Sequence, residues 1–172
     1  MSAFGSLSSF RGNNQSSSAL INSGGGAPPN VCLILGRTAV LPIADATGFV
    51  LIPFDTVINA SSVATNNAGL ITINQTGIYN LSAACLFSSL PPLPVNQGAR
   101  GLRVLVNGAI VVGADNAATA GSTQGMICNQ FVPLNAGDIV TTEASSNVGQ
   151  TGQTVSGNGF NPILTSLALA LL

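Results

Sequence analysis

Charge is what this 172-residue chain lacks most: four Arg, five acidic residues, no Lys and no His, so that 5% of its residues are charged where an average globular chain has about 25%. Four dispersed cations and a net charge of -1 exclude a phosphate-binding surface, because nucleic-acid affinity rests on several clustered Lys and Arg contacts. The missing His and Lys remove the usual general bases and the usual partners that activate a Ser or Cys nucleophile. Asp45, Asp55, Asp115, Asp138 and Glu143 stand in separate segments, and no pair of them is spaced for acid–base work. The expectation is a protein that is not an enzyme and uses no cofactor. No segment has calcium-loop spacing, and Gly24, Gly25 and Gly26 precede neither a Lys nor a helix, so they read as linker rather than phosphate loop.

Cysteine is also scarce. Cys32, Cys85 and Cys128 are odd in number and far apart, which spells neither a disulfide framework nor a zinc site; Cys85 falls in an apolar alternation and is expected to be a buried thiol. Trp is absent and Tyr79 is the single Tyr. The opening "MSAFGSLSSF" has neither the basic nor the continuous apolar region of a signal peptide, so synthesis in a cytoplasm is expected. The four Asn-x-Ser/Thr triplets, at Asn14, Asn59, Asn74 and Asn80, are then chance matches in a chain rich in these residues. The longest apolar stretch is too short for a spanning helix of roughly 20 residues, and no membrane partner is expected.

What is present begins with a polar arm. Residues 1–30 are rich in Ser, Asn and Gly and close on Pro28 and Pro29, a composition that cannot bury enough apolar surface to fold alone. A pure spacer has no use for Phe4, Leu7 and Phe10. Two readings stay open: an unstructured tail, or an arm that orders when those three side chains dock on a neighbouring protein. Residues 31–172 form the second unit, long enough as a single domain to bury about 70% of its unfolded surface.

From residue 31 onward the chain reads as strand after strand. "VCLIL" (31–35), "GFVLIPF" (48–54) and "GLITIN" (69–74) are short, rich in β-branched and aromatic residues, and bounded by Gly, Asn and Asp. In "GIYNLSAACLF" (77–87), Tyr79, Leu81, Ala83, Cys85 and Phe87 make one apolar row, with Asn80 and Ser82 on the other. Residues 91–101 read as a surface loop. Leu102, Val104 and Val106 then lead into Asn107-Gly108, a pair suited to a tight hairpin because both positions accept positive φ. "AIVVG" returns, "GMICNQFVPL" and "DIVTTEAS" follow with "NAGD" (135–138) between them, and a Gly/Asn-rich loop (145–162) leads to the last strand. Asp138 is expected to bond backbone amides in its turn. Eight or more short antiparallel strands imply a sandwich, barrel or jelly roll.

The last ten residues, "ILTSLALALL", carry no charge. As a strand they put Ile163, Thr165, Leu167, Leu169 and Leu171 on one face and Leu164, Ser166, Ala168, Ala170 and Leu172 on the other. One face can close a domain core; the other needs a second surface, most simply another copy of the chain. Leu164, Ala168, Ala170 and Leu172 are therefore the candidate interface residues. Burying about 150–250 Å² of such a strand is worth about 4–6 kcal/mol per subunit, before the cost of association. Left open, the same patch is an aggregation site.

The order "FDTV" (54–57), "GLITINQTGIYNLSA" (69–83), "LRVLVNG" (102–108), "VPLNAGDIV" (132–140) and a terminal apolar strand resembles the trimeric jelly rolls of the tumour necrosis factor and complement globular-head superfamily. Its spacing looks most like the tips of collagen-like glycoproteins on bacterial spores. The resemblance covers about residues 48–172 and implies an all-β, antiparallel jelly-roll sandwich that forms a homotrimer by packing apolar faces around a threefold axis. No Gly-X-Y repeat precedes the head.

Together these features lead to an expected function. The chain reads as a trimeric capsid decoration, cement or head-fibre protein of a virus such as a tailed phage. It would be made in the host cytoplasm, sit on the virion surface, and dock on a major capsid protein or another particle surface protein through Phe4, Leu7 and Phe10. Few Arg and no Lys also leave few trypsin-type cleavage points. The alternatives are a spore or cell-surface filament tip, a soluble lectin-like ligand-binding trimer, and a self-sufficient capsid protein.

Overall fold

The computed structural model describes residues 31–43, 48–87, 98–117, 123–147, 153–155 and 165–172. These residues form strands and turns only. In chain order the strands are β1 (Cys32–Gly36), β2 (Leu41–Ile43), β3 (Val50–Leu51), β4 (Thr56–Asn59), β5 (Ala64–Asn67), β6 (Leu70–Ile73), β7 (Gly77–Phe87), β8 (Ala99–Val106), β9 (Ala109–Ala117), β10 (Gln124–Leu134), β11 (Ile139–Asn147), β12 (Gln153–Val155) and β13 (Ser166–Leu171).

They pair into two antiparallel sheets. The first has the order β2-β12-β7-β13-β1-β4, with β10 along the other edge of β7; the second runs β5-β6-β11-β8-β9, with β3 added to β11. The expected antiparallel jelly-roll sandwich is therefore present. Alternation places its core. Along β7, Tyr79, Leu81, Ala83, Cys85 and Phe87 are fully buried, while the residues between them stay partly exposed. Leu33 and Leu35 of β1 and Leu167 and Leu169 of β13 join them from the same sheet. Ile71, Ile73, Leu102, Val104 and Val140 face them from the second sheet. Close approach fixes Gly69, where φ is 93° and a Cβ would stand 2.6 Å from the Ile52 carbonyl oxygen.

Two turns that were legible in the sequence lock one end of the sandwich. Asn107 and Gly108 take φ of 51° and 82°, the left-handed geometry of a two-residue hairpin, and join β8 to β9. The Asn107 side chain donates to Asp138 Oδ1 at 2.8 Å and accepts from the Ile139 amide at 2.9 Å. Asp138 Oδ2 in turn accepts from the Asn135 amide at 2.7 Å, closing the turn between β10 and β11. The Asn135 amide bond, then Asn107, hold the Asp138 carboxyl below its ordinary pKa of 3.8. A depressed folded-state pKa stabilises the fold above the unfolded value and is lost as pH falls through the folded one. Wild-type protein is therefore expected to lose stability relative to Asp138→Asn as pH drops below about 4, read from denaturant midpoints between pH 6 and pH 2.

The stretch 48–54, expected to be one strand, enters the ladder only at Val50 and Leu51, which pair with Ala144 and Glu143. Beyond it, Pro53 has no amide to donate, and its carbonyl is taken by the Arg37 side chain. Asp55 is occupied by the amides of Thr38 and Ala39 at 2.8 and 3.0 Å. The loop expected over 145–162 is also shorter than anticipated, because β11 runs to Asn147 and β12 pairs with β2.

Scarce charge goes into structure. Arg100 lies in the core with its guanidinium 5.0 Å from the centre of the Phe87 ring. Arg103 pairs with Glu143 at 2.6 Å and stacks 3.8 Å from the centre of the Phe49 ring. The expected burial of Cys85 is found.

Candidate functional site

The outer surface of the first sheet is the feature with no internal use. Register sets its layout in rows that cross β10, β7, β13 and β1. One row is Ile127, Ala84, Ser166 and Gly36; the next is Asn129, Ser82, Ala168 and Ile34; the third is Phe131, Asn80, Ala170 and Cys32. None of these side chains is charged. The most exposed large ones stand at the β10 edge, where Ile127 is 71% and Phe131 62% exposed, and Ile34 stands on β1. The middle of the face, on β7 and β13, is built from Ala, Ser and Asn80. Ile78, at the start of β7, is 55% exposed and continues the apolar surface past Phe131. A cavity of about 390 Å³ opens between β7, β10 and β13 beside Ala84, Leu86, Gly125, Ile127 and Ser166. Gly125 leaves it open, for a Cβ there would meet nothing closer than Leu86 Cδ1 at 3.9 Å.

β13 occupies the middle of this sheet, hydrogen-bonded between β7 and β1. Leu167 and Leu169 point into the core, and Ala168 and Ala170 lie on the open face. Leu172 follows the strand and is 74% exposed. Of the other residues singled out in the sequence, Leu164, Phe4, Leu7 and Phe10 lie outside the described residues. Sequence reading missed the strongest members of the face, Ile127 and Phe131. Their signal was the same one used for the terminal strand: "GMICNQFVPL" is apolar on both parities, with Met126 and Cys128 buried and Ile127 and Phe131 turned outward.

Chemistry on this face is sparse. Cys32 is its one thiol and is partly exposed. Cys85 and Cys128 lie beneath it in the core, where burial pushes the Cys85 thiol up to about 12 and raises that of Cys128 as well. Among the described residues, no three His, Cys, Asp or Glu side chains gather to hold a metal ion. No described helix is long and apolar enough to cross a membrane.

No family profile matches the chain, and no curated protein matches it in sequence. Solved structures do match. Murine APRIL at pH 5.0 superposes with a TM-score of 0.63 at 14% identity, covering 82% of this chain and 98% of that one. Murine APRIL at pH 8.5 gives 0.60 at 16% identity, with the same coverage. The fold is the tumour necrosis factor jelly roll. Eiger TNF from S. frugiperda also shares it, with a TM-score of 0.59 at 11% identity over 84% of this chain and 94% of that one. The jelly roll thus extends through the described head, and the likeness at these identities is one of fold.

Proposed function

We propose that the chain is a homotrimeric structural module displayed on a particle, a capsid decoration, cement or head-fibre protein held by its N-terminal arm. The carrying observation is the uncharged open face of the first sheet, with Ile127, Phe131, Ile78 and Leu172 all more than half exposed. An uncharged face that exposes several large apolar side chains marks an interaction surface. Neighbours of the same jelly-roll fold include a tumour necrosis factor ligand, which favours closure of three copies on this face. Placement on a virus rests on the sequence: a polar arm bearing Phe4, Leu7 and Phe10, a chain poor in charge, and no residue set for catalysis. Its partner there would be the major capsid protein or another surface protein of the particle, and its location the virion surface.

A second reading, a soluble trimeric ligand-like module, is favoured by the fold shared with Eiger TNF. Deletion of residues 1–30 separates the two. The shortened protein is expected to keep the mass of a trimer in light scattering and to lose at least tenfold in co-sedimentation with assembled capsids of the cognate phage. Capsid binding undiminished by the deletion would remove the docking arm from the scheme.

A further inference from the structure

The turn between β8 and β9 holds a chemically reactive pair, Asn107 and Gly108. In an open chain the Gly108 amide nitrogen attacks Asn107 Cγ. The new N–Cγ bond replaces the Cγ–Nδ2 bond, ammonia leaves with the Gly108 amide proton, and water then opens the five-membered imide to Asp or isoaspartate. Glycine in the attacking position offers no side chain to obstruct the approach.

The fold holds both reacting groups apart. Ring closure needs the Gly108 nitrogen on the same side of the Asn107 Cα–C bond as Cβ. With φ of 51° Asn107 is left-handed, a conformation whose ψ is about +47°, and the nitrogen then lies nearly opposite Cβ. The carboxamide is also held at both ends: Nδ2 donates to Asp138 Oδ1 at 2.8 Å and Oδ1 accepts from the Ile139 amide at 2.9 Å. The Asn107 amide itself donates to the Ile139 carbonyl at 2.8 Å. Swinging Cγ toward Gly108 breaks both side-chain bonds, and turning ψ dismantles the hairpin turn. Conversion would also leave a mark on the structure. A carboxylate at position 107 still accepts from Ile139, but it sets a second negative oxygen against Asp138 where a donor stood, and like charges in contact disfavour each other.

We propose that Asn107 is a latent deamidation site, kept as an amide by its bonds to Asp138 and Ile139, and that its conversion after the clasp opens keeps the clasp from closing again. Every group involved belongs to one copy, so the site does not depend on assembly.

The test incubates native wild type, wild type unfolded in urea and native Asp138→Ala protein in warm neutral buffer. Tandem mass spectrometry of the digests then separates Asn107 from the same dipeptide at Asn158-Gly159. Conversion of Asn107 to Asp or isoaspartate is expected to be at least tenfold slower in native than in unfolded wild type. In Asp138→Ala protein, with the circular dichroism of the sheet kept, it is expected to be at least threefold faster than in native wild type. Equal rates in native and unfolded wild type, or a folded Asp138→Ala protein that converts at the native rate, overturn the protection. The consequence of conversion is read separately. Asn107→Asp is expected to lower the urea midpoint at neutral pH, and adding Asp138→Asn to restore it, since the exchanged pair puts the donor on residue 138 and leaves the Asn135 amide its acceptor. A midpoint that Asn107→Asp does not lower, or that the exchange does not restore, overturns the blocked clasp.

Discussion

Ala168→Arg is expected to turn the proposed trimer into a folded monomer. Ala168 sits on the open face of the first sheet between Ser82 and Ile34, so its substituent points away from the core. In an isolated copy a guanidinium there remains in water, and substitutions that leave the core alone change stability by about 0.5 kcal/mol or less. In a closed trimer three such groups would be buried around one axis with no carboxylate in the flanking rows. An unpaired buried charge costs several kcal/mol, one for each subunit, which offsets the roughly 4–6 kcal/mol per subunit that the apolar surface can return before the cost of association. Light scattering should report a threefold drop in mass, with the far-ultraviolet circular dichroism of the sheet unchanged. Retention of the trimer would exclude this face as the contact.

One residue along, the expected effect is of the opposite kind. Leu169 is fully buried, its side chain among Leu81, Leu33 and the rest of the core. Leu169→Ala is expected to cost about 2–5 kcal/mol through lost transfer energy and the cavity left behind, a large share of the 5–15 kcal/mol that holds a typical domain. The corresponding fall in Tm is roughly 4–20 °C for a chain of this size. Because assembly adds its own concentration-dependent stability, the measurement belongs in the Ala168→Arg background, where denaturant unfolding reads the single fold. A loss below 1 kcal/mol there would mean that β13 does not pack as described. The contrast between adjacent residues is the period-two rule of a strand expressed as two separate phenotypes.

That rule also explains how much was legible in advance. The long strands β7, β10 and β11 and the turns at Asn107-Gly108 and 135–138 announce themselves, because alternation and positive φ are local properties. The parity of the terminal strand was likewise readable, Leu167 and Leu169 inward and Ala168 and Ala170 outward. β5 and β12 were not legible as strands, and β3 was legible only as part of a longer strand expected over 48–54. β5 is "ATNN", with poor strand propensity, and exists because it pairs with β6. β3 and β12 are two and three residues long and owe their extension to β11, and to β2 and β7, respectively. The open face as a site could be glimpsed only at β13. That Phe131, Asn80, Ala170 and Cys32 share one row depends on three registers between segments distant in sequence, and no local pattern encodes them.

The place of β13 has a consequence for biosynthesis. It is an interior strand, wedged between β1 and β7, so these two cannot share a sheet until residues 166–171 are in place. While the ribosome is still adding those residues, both strands present bare edges, which invite mispairing with other nascent chains. Closure therefore waits for residues 166–171 and joins segments far apart in sequence, a topology that folds slowly. An internal stop codon ahead of Ser166 would yield neither a weakened subunit nor an altered one, but a polypeptide unable to assemble its first sheet.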